Sequence, residues 1–274
     1  VGPYPTREAA EVARVQAVQL NPQVKAQVIA LDANVASTPA PPPTSLAVVG
    51  ELRPGMGIAK GYLDPKALPD SKALLPPPPA AGTPPKAADL WATEQALSAD
   101  EARFRQAAAD ADLKWPDAVG SFEAVLGARV STDATPHTAM LIRRSIADAG
   151  LATYGAKTAY QRTRPFVELG LKSCTPQDEA ALAKDGSYPS GHAAIGWMLA
   201  LVLTDLAPDR TDALLQRGFD FGQSRVVCRV HWQSDVAAGR LVASATYARL
   251  QSDPVFQAQR TLARKELAAA RAQP

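Results

Sequence analysis

Three short segments of the chain carry residue types that could bind a phosphate group and attack it. Lysine and arginine hold anionic oxygens through charge-assisted hydrogen bonds, and histidine can serve as a nucleophile or a proton donor. A carboxylate four residues after a histidine can orient the imidazole ring if both lie on one helix. In chain order the segments are Lys157-x6-Arg164-Pro165, Pro189-Ser190-Gly191-His192 and Ser224-Arg225-x5-His231-x3-Asp235.

The first segment contributes two cations near the end of a predicted helix. Lys157 precedes Arg164 by about two helical turns, which places both side chains on one face. Because a residue before proline avoids α-helical geometry, Arg164 is expected at a helix boundary, pointing out of the bundle. The alternative is a solvated pair that favours the negative end of the helix dipole.

The second segment is typical of a loop that leads into an apolar helix. The free N–H groups at such a helix start form an anion site, which Gly191 lets a ligand approach closely and to which Ser190 can donate its hydroxyl. The alternative is that Ser190 is a simple helix cap and His192 an exposed first-turn residue.

In the third segment, Asp235 can accept a hydrogen bond from Nδ1 of His231 and leave Nε2 free to react. The alternative is a surface pair of the same spacing. The order and complementary chemistry of the three segments favour one common site. Outside them, His137 is expected to be structural or exposed, and Asp148 to be a solvated carboxylate.

Bulk composition narrows the classes of protein. The 274 residues carry a net charge of +2 and no run rich in lysine and arginine, so neither nucleic acid nor an anionic membrane surface is an expected partner. The apolar run from Ala193 to Leu203 is too short to span a bilayer. The spacing of the cysteines argues against a thiolate zinc site, and no cofactor or metal is expected.

Cys174 and Cys228 flank the same predicted site, and we expect them to form a disulfide; two buried free thiols are the alternative. Closing this loop would stabilise the fold by roughly 4 kcal/mol in the chain-entropy model. A disulfide favours an exported protein. The chain begins at Val1 without a methionine, which fits removal of a signal peptide.

The distribution of proline suggests two regions. Proline-rich runs such as residues 38–43 are typical of extended connectors, whereas residues 7–31 have a helical pattern that Pro22 breaks or kinks. We therefore expect residues 1–86 to form a proline-rich arm with a short helical region, and residues 87–274 to form the catalytic domain.

The catalytic domain is predicted to be an all-α helical bundle with its site between facing helices. The region is rich in alanine and leucine with helical periodicity, and alternating β-branched runs are scarce. The predicted helices span residues 87–112, 117–127, 135–150, 151–163, 176–184, 191–206, 209–226, 233–251 and 254–271.

Together the segments resemble the signature of the type 2 phosphatidic acid phosphatase superfamily, which also contains the vanadium haloperoxidases. Over about residues 60–265 the chain more closely resembles the bacterial class A nonspecific acid phosphatases. The stretches that carry this resemblance are KALLPPPP (72–79), GSYPSGH (186–192), GQSRVVC (222–228) and HWQSDVAAGR (231–240).

The resemblance implies an all-α bundle of the acid phosphatase and vanadium haloperoxidase type. It also implies metal-independent hydrolysis of small phosphomonoesters in the periplasm or outside the cell, with phosphate or vanadate as inhibitors. His231 would attack phosphorus to form a phosphohistidine, Asp235 would orient it, and a protonated His192 would serve the leaving group. The expected phosphate ligands are Lys157, Arg164, Ser190, Gly191 and Arg225.

Two departures from the family pattern affect the expected substrate preference. Ala193 stands where many members have threonine, and Arg229 stands where a small residue is expected and could add charge near the pocket rim. A lipid phosphatase, a vanadate-dependent haloperoxidase with the same anion site and a noncatalytic phosphate-binding protein are the alternatives. Residues 1–60 have no counterpart in the pattern, and an arm that wraps a neighbouring subunit would make a homo-oligomer.

Overall fold

A computed structural model describes residues 4, 6–28 and 40–272, and this part of the chain is built from α-helices. The described residues contain one isolated bridge of extended backbone, between Glu51 and Ala59. The prediction of an all-α fold is therefore confirmed. The helices are α1 (Arg7–Leu20), α2 (Leu46–Val49), α3 (Ser71–Leu74), α4 (Pro84–Ala96), α5 (Glu101–Ala109), α6 (Asp117–Leu126), α7 (Pro136–Ala152), α8 (Tyr154–Tyr160), α9 (Pro165–Glu168), α10 (Glu179–Leu182), α11 (Gly191–Leu206), α12 (Thr211–Val227), α13 (Gln233–Leu250) and α14 (Pro254–Arg271).

Local sequence signals explain where several helices begin. Asp100 and Asp253 each cap a helix by accepting a hydrogen bond from a first-turn amide of α5 and α14. Prolines in the first turns of α4, α7 and α14 are tolerated because amides there have no intrahelical acceptor.

The predicted helix boundaries agree best for α6 and for α11 to α14. The predicted helix 87–112 is divided into α4 and α5, because Asp100 caps a new start. The predicted helical region 7–31 ends at Leu20. Its residues 29–31, and residues 38–39 of the proline-rich run, lie outside the described residues.

The chain divides into two compact units, Val1–Pro41 and Pro42–Pro274. The described part of the first unit contains α1. The predicted boundary after residue 86 thus does not coincide with the boundary between the units. Residues 42–86 instead belong to the larger helical unit.

Side-chain contacts explain why residues 42–86 belong to the larger unit. The hydroxyl of Ser71 accepts a hydrogen bond from the amide of Ala156 at 3.0 Å. The hydroxyl of Tyr188 donates to the carbonyl of Pro76, also at 3.0 Å. Residues 71 and 76 are therefore bonded to α8 and to the loop that precedes α11.

Helix α11 lies at the centre of the larger unit, where it packs against α7, α12 and α13. It is apolar on nearly all sides, as a helix surrounded by others must be, and Met198, Leu199 and Leu203 are fully buried. Helix α14 covers α7, and there the Nδ1 atom of His137 lies 2.6 Å from Nε2 of Gln259. His137 thus supports a helix contact and lies outside the candidate site.

Asp148 on α7 is fully buried, so the prediction of a solvated carboxylate is wrong. Its two oxygens accept hydrogen bonds from the amides of Tyr62 and Leu63, at 2.8 and 3.4 Å. The carboxylate therefore fastens residues 61–63 to the bundle. Burial raises the pKa of Asp148 to about 6, although the two amides and the charge of Arg144 act in the opposite direction.

This raised pKa predicts that the contribution of Asp148 to stability grows as the solution becomes more acidic. Below about pH 6 the folded protein takes up a proton before the unfolded chain does, so the gain is complete below the unfolded pKa and is lost as the pH rises through 6. Two pKa units correspond to about 3 kcal/mol. Asp148→Asn should flatten the dependence of the unfolding free energy on pH, measured by urea denaturation between about pH 4 and 7. The exposed Asp133→Asn is the control; equal slopes for both variants would contradict the prediction.

Candidate active site

The structure brings all of the predicted site residues together at the start of α11. Arg164 Nη1 lies 3.1 Å from His231 Nε2, and the amide of Ser190 donates to the carbonyl of Asp235 at 2.9 Å. The site thus joins α8 to three consecutive helices, α11, α12 and α13. Its residues are Lys157 and Arg164 in and after α8, Ser190, Gly191 and His192 at the start of α11, Arg225 in the last turn of α12, and His231 and Asp235 around the start of α13.

Lys157 and Arg164 are both buried, so the expectation that Arg164 points out of the bundle is wrong. Helix α8 ends at Tyr160, and the left-handed conformation of Gln161, with φ of 42°, returns the chain toward the bundle. Both cations contact the carbonyl of Gly186, at 2.6 Å from Lys157 Nζ and 3.3 Å from Arg164 Nη2. Burial, and then the charge of Arg164, lower the pKa of Lys157 to about 8.

Arg225 is the most deeply buried cation of the site, with 1% of its surface exposed. Its Nε and Nη1 atoms have no hydrogen-bond partner among the described residues. Burial, followed by the charge of Arg164, lowers its pKa to about 9. A buried guanidinium with free donors is costly unless an anion binds to it. The environment of Arg225 is therefore that of an anion site.

The first turn of α11 supplies further donors. Ser190 caps the helix by accepting a hydrogen bond from the amide of Ala193 at 3.2 Å, which leaves its own hydroxyl hydrogen for an anion. The amides of Gly191 and His192 lie at the start of this 16-residue helix, where no intrahelical acceptor exists. Ser190 is therefore a helix cap, and its hydroxyl can at the same time donate a hydrogen bond to an anion.

The imidazole of His231 is buried between a cation and a carboxylate. Because a guanidinium only donates, Nε2 must accept from Arg164, which places the ring proton on Nδ1. Nδ1 faces Asp235 Oδ2 at 3.4 Å, which is longer than a good hydrogen bond. Burial, then the charges of Arg164, Lys157 and Arg225, hold the pKa of His231 well below its usual range. The ring therefore stays neutral in mildly acidic solution.

His192 is partly buried in the first turn of α11. Its Nε2 donates to the carbonyl of Ala111 at 3.0 Å. Burial, and then the charge of Arg225, hold the pKa of His192 well below its usual range. The protein's own charges therefore oppose the expected protonated His192, and a bound anion must offset them.

Arg162 and Asp89 also belong to this environment, although neither was among the residues predicted from the sequence. Arg162 donates from Nη1 to Asp235 Oδ1 at 2.6 Å and from Nη2 to Asp89 Oδ2 at 2.7 Å. Arg162 lies inside the first segment, between Lys157 and Arg164, and this position could have marked it as a further site residue. Asp89 lies on α4, far from every segment, and no local pattern marks it.

Among the described residues, Asp185 is the one partly exposed carboxylate that contacts Lys157 and Arg164. Its Oδ2 lies 3.3 Å from Arg164 Nη2 and 3.5 Å from Lys157 Nζ, and 43% of the side chain is exposed. A cavity of about 170 Å³ is bordered by Arg164, Asp185 and Gly186. Asp185 therefore stands where solvent reaches the cations.

Cys174 and Cys228 form a disulfide, as predicted, with Cα atoms 4.8 Å apart. The bond ties the loop after α9 to the residue that follows α12. The next residue, Arg229, donates to the carbonyl of Lys172 at 2.9 Å and lies over the ring of Phe104. The guanidinium of Arg229 thus helps to hold the loop after α9 against the end of α12.

Helices α11 and α13 approach closely where Gly239 faces Ser190. A Cβ atom at position 239 would lie 2.4 Å from the carbonyl oxygen of Ser190 and 3.2 Å from the amide of Ala194. Both neighbours are backbone atoms, which cannot swing away as a side chain would. Glycine at this position therefore sets the spacing between the helix that carries the second segment and the helix that carries Asp235.

In the part of the chain that the structure describes, no three histidine, cysteine, aspartate or glutamate side chains are grouped so that they could hold a metal ion. Over the same residues, no helix combines the length and the apolar character that crossing a membrane requires. The positive charge of the described site comes from lysine and arginine side chains.

Comparisons with known proteins match the region that holds the site. Residues 138–252 match the PAP2 superfamily, and this range contains all three segments. A nonspecific acid phosphatase from Providencia stuartii is 45% identical over 206 residues, which cover 73% of this chain and 81% of the relative.

Two further relatives show similar coverage. A nonspecific acid phosphatase from Salmonella typhimurium is 44% identical over 200 residues, 72% of this chain and 80% of that protein. An acid phosphatase from Zymomonas mobilis is 40% identical over 205 residues, 74% and 77% of the two chains.

Proposed function

Because this chain belongs to the bacterial class A nonspecific acid phosphatases of the PAP2 superfamily and is therefore a phosphatase, we propose that it hydrolyses phosphomonoesters of broad structure through a phosphohistidine. The reaction would need no metal ion and would take place in the periplasm or outside the cell. The observation that carries the proposal is the buried positive charge around His231, above all the Arg225 donors that have no partner among the described residues.

Substrate binding would satisfy this charge. The phosphate oxygens would accept hydrogen bonds from Lys157, Arg164 and Arg225, and from the hydroxyl and amides at the start of α11. A phosphate oxygen would also take over the Arg164 hydrogen bond that His231 Nε2 accepts. Binding would therefore free the nucleophilic nitrogen at the moment when phosphorus is next to it.

In the first chemical step, Nε2 of His231 bonds to phosphorus while the bond to the ester oxygen breaks in line. His192 gives its proton to that oxygen, which leaves as the alcohol. The Nδ1 proton stays on His231, and Asp235 stabilises the resulting positive charge of the ring. The cations stabilise the charge on the transferred phosphoryl oxygens.

In the second step, His192 acts as a base. It removes a proton from water, whose oxygen bonds to phosphorus while the bond to His231 Nε2 breaks. Inorganic phosphate leaves, His231 is again neutral with its proton on Nδ1, and His192 is again protonated. The protein returns to its starting state without a redox change.

The depressed pKa values of the two histidines support activity in acidic solution. A nucleophile with a low pKa stays unprotonated when the solution is acidic. The low pKa of His192 means that protonation of the leaving group improves as the pH falls, and the bound phosphate adds to this by opposing the cations. A disulfide beside the site supports an oxidising compartment.

The proposal is tested by assaying the purified protein with p-nitrophenyl phosphate and a panel of alkyl, aryl and sugar phosphates across about pH 4 to 8. We expect hydrolysis of most members, no loss with EDTA, and competition by phosphate and vanadate. When the reaction of a substrate radiolabelled on phosphorus is stopped rapidly without acid, the label should be found on a histidine of the protein. Reversible loss of activity with EDTA, or label on another residue type, would contradict the proposed chemistry.

Asp185→Asn should tighten inhibition by inorganic phosphate. The Asp185 carboxylate occupies hydrogen-bond donors of the phosphate cations and repels an incoming anion. Because the Asp185 side chain is partly exposed, the inhibition constant of phosphate should fall by only about fivefold. The control is Asp209→Asn, another exposed carboxylate paired with an arginine, Arg271. Unchanged inhibition in the Asp185 variant would show that Asp185 does not compete with phosphate.

A further inference from the structure

A closed ring of hydrogen bonds lies behind the candidate nucleophile. Arg162 donates to the hydroxyl of Ser234 at 2.7 Å, and that hydroxyl donates to Asp89 Oδ2 at 2.7 Å. The amide of Ser234 also donates to Asp89 Oδ1 at 2.8 Å. Asp89 therefore holds both Arg162 and the residue next to Asp235, and α4 becomes part of the site.

Trp232 restrains Arg162 from a second direction. The guanidinium carbon of Arg162 lies 5.4 Å from the centre of the Trp232 ring. The indole nitrogen of Trp232 donates to the carbonyl of Thr163 at 2.8 Å, and Lys86 Nζ lies 3.3 Å from the ring centre. The position of the guanidinium is thus determined by hydrogen bonds along its edge and by an aromatic face.

The two oxygens of Asp235 have different partners. Oδ1 accepts from Arg162, whereas Oδ2 accepts from the amide of Trp232 at 2.8 Å and faces Nδ1 of His231. Rotation of the carboxylate away from His231 would break the bonds to both Arg162 and Trp232. Arg162 therefore acts on His231 through Asp235.

We propose that Arg162, held by Asp89 and Ser234, is a positioning residue that fixes Asp235 so that its second oxygen meets Nδ1 of His231 during attack. This inference rests on the proposed function, because it concerns the chemistry of His231. It assigns a role to Arg162 and Ser234, which lie inside the first and third segments, and to Asp89, which lies outside all three. If the inference is correct, the loss of activity caused by replacing Arg162 should depend on the presence of Asp235.

The charges around Asp235 predict a pH signature. Burial raises the pKa of Asp235, and Arg162 is the strongest influence that lowers it, followed by the amide of Trp232. The other ionisable groups whose charges act on this carboxylate are Lys157, Arg164, His231 and Tyr188, and Asp89 acts through Arg162. Removal of the Arg162 charge should therefore move the acidic limb of the kcat profile to higher pH.

The test is a double-mutant cycle of Arg162→Gln and Asp235→Asn. Alone, Arg162→Gln should lower kcat by about 10- to 100-fold with little change in KM, the range expected for a residue that supports a functional group. In the Asp235→Asn background the same change should cost less than about twofold. Arg162→Lys, which keeps the charge, should recover part of kcat and of the pH profile.

The control is Arg143→Gln, which removes a buried arginine that bonds the carbonyl of Gly57, and it should leave the pH profile unchanged. If Arg162→Gln does not fold, as judged by circular dichroism, the cycle is run with Ser234→Ala. Equal losses in both backgrounds, or no loss in the single variant, would overturn the inference.

The cycle also separates this inference from the proposed function. If the unaltered protein hydrolyses phosphomonoesters and Asp235→Asn is slow, additive losses overturn only the positioning role. If the unaltered protein is inactive on all phosphomonoesters, the proposed function itself has failed. If Asp235→Asn is as fast as the unaltered protein, Asp235 has no role to support and the positioning inference is overturned.

Discussion

Replacement of His231 by alanine should abolish turnover and phosphoenzyme formation together, with a loss of at least about 10³-fold in kcat. The variant keeps the cations but has no atom that can bond to phosphorus. Phosphate should therefore still bind, and isothermal titration calorimetry should give a dissociation constant close to that of the unaltered protein. The loss belongs to the chemical step and not to substrate binding.

The matched control for this substitution is His137→Ala. It removes the one histidine outside the site, whose ring contacts Gln259 between α7 and α14. This control should keep kcat within about threefold while lowering stability slightly. Near-normal turnover by the His231 variant would exclude His231 as the nucleophile.

Replacement of His192 by alanine should cause a loss that depends on the leaving group. Without a proton donor, an alkyl phosphate must expel an alkoxide, and the expected loss is about 10²- to 10⁴-fold. The p-nitrophenolate ion leaves without a proton, so phosphoenzyme formation from p-nitrophenyl phosphate should be much less affected. Hydrolysis of the phosphoenzyme should still be slow, because the water has lost its base.

Two measurements check this division of roles. Plots of log kcat/KM against leaving-group pKa should be steeper for the His192 variant than for the unaltered protein. With p-nitrophenyl phosphate the variant should show a burst of p-nitrophenol followed by slow turnover. A uniform loss for all leaving groups, with no burst, would rule out the proposed acid and base role of His192.

Residue types and spacing predicted most of the longer helices and a set of residues that the structure places close together, but not the directions of several side chains. Arg164 shows why. A residue before proline was expected at a helix boundary, and Arg164 is indeed the residue immediately before α9, but the left-handed turn at Gln161 brings its guanidinium inward. A long glutamine in that conformation has no local sequence signal, since the conformation is imposed by packing.

Asp148 and Asp89 illustrate a second limit. Each is an acidic residue on a helix, and acidic side chains are ordinarily exposed. Their partners lie far away in the chain, at Tyr62 for Asp148 and at Arg162 for Asp89. Whether a carboxylate is buried depends on finding such a partner in three dimensions, and a single sequence does not contain that distance.

The crossing of α11 and α13 at Gly239 has a consequence for how the protein tolerates change. A methyl group there would push against the Ser190 carbonyl, and so would displace the anion-binding turn and the helix of Asp235 at the same time. In a library of random variants selected for growth on an organic phosphate, position 239 should be as depleted of substitutions as the histidines, although glycine carries no reactive group. The positions that tolerate no substitution would therefore include residues that set the spacing of the helices as well as residues that react.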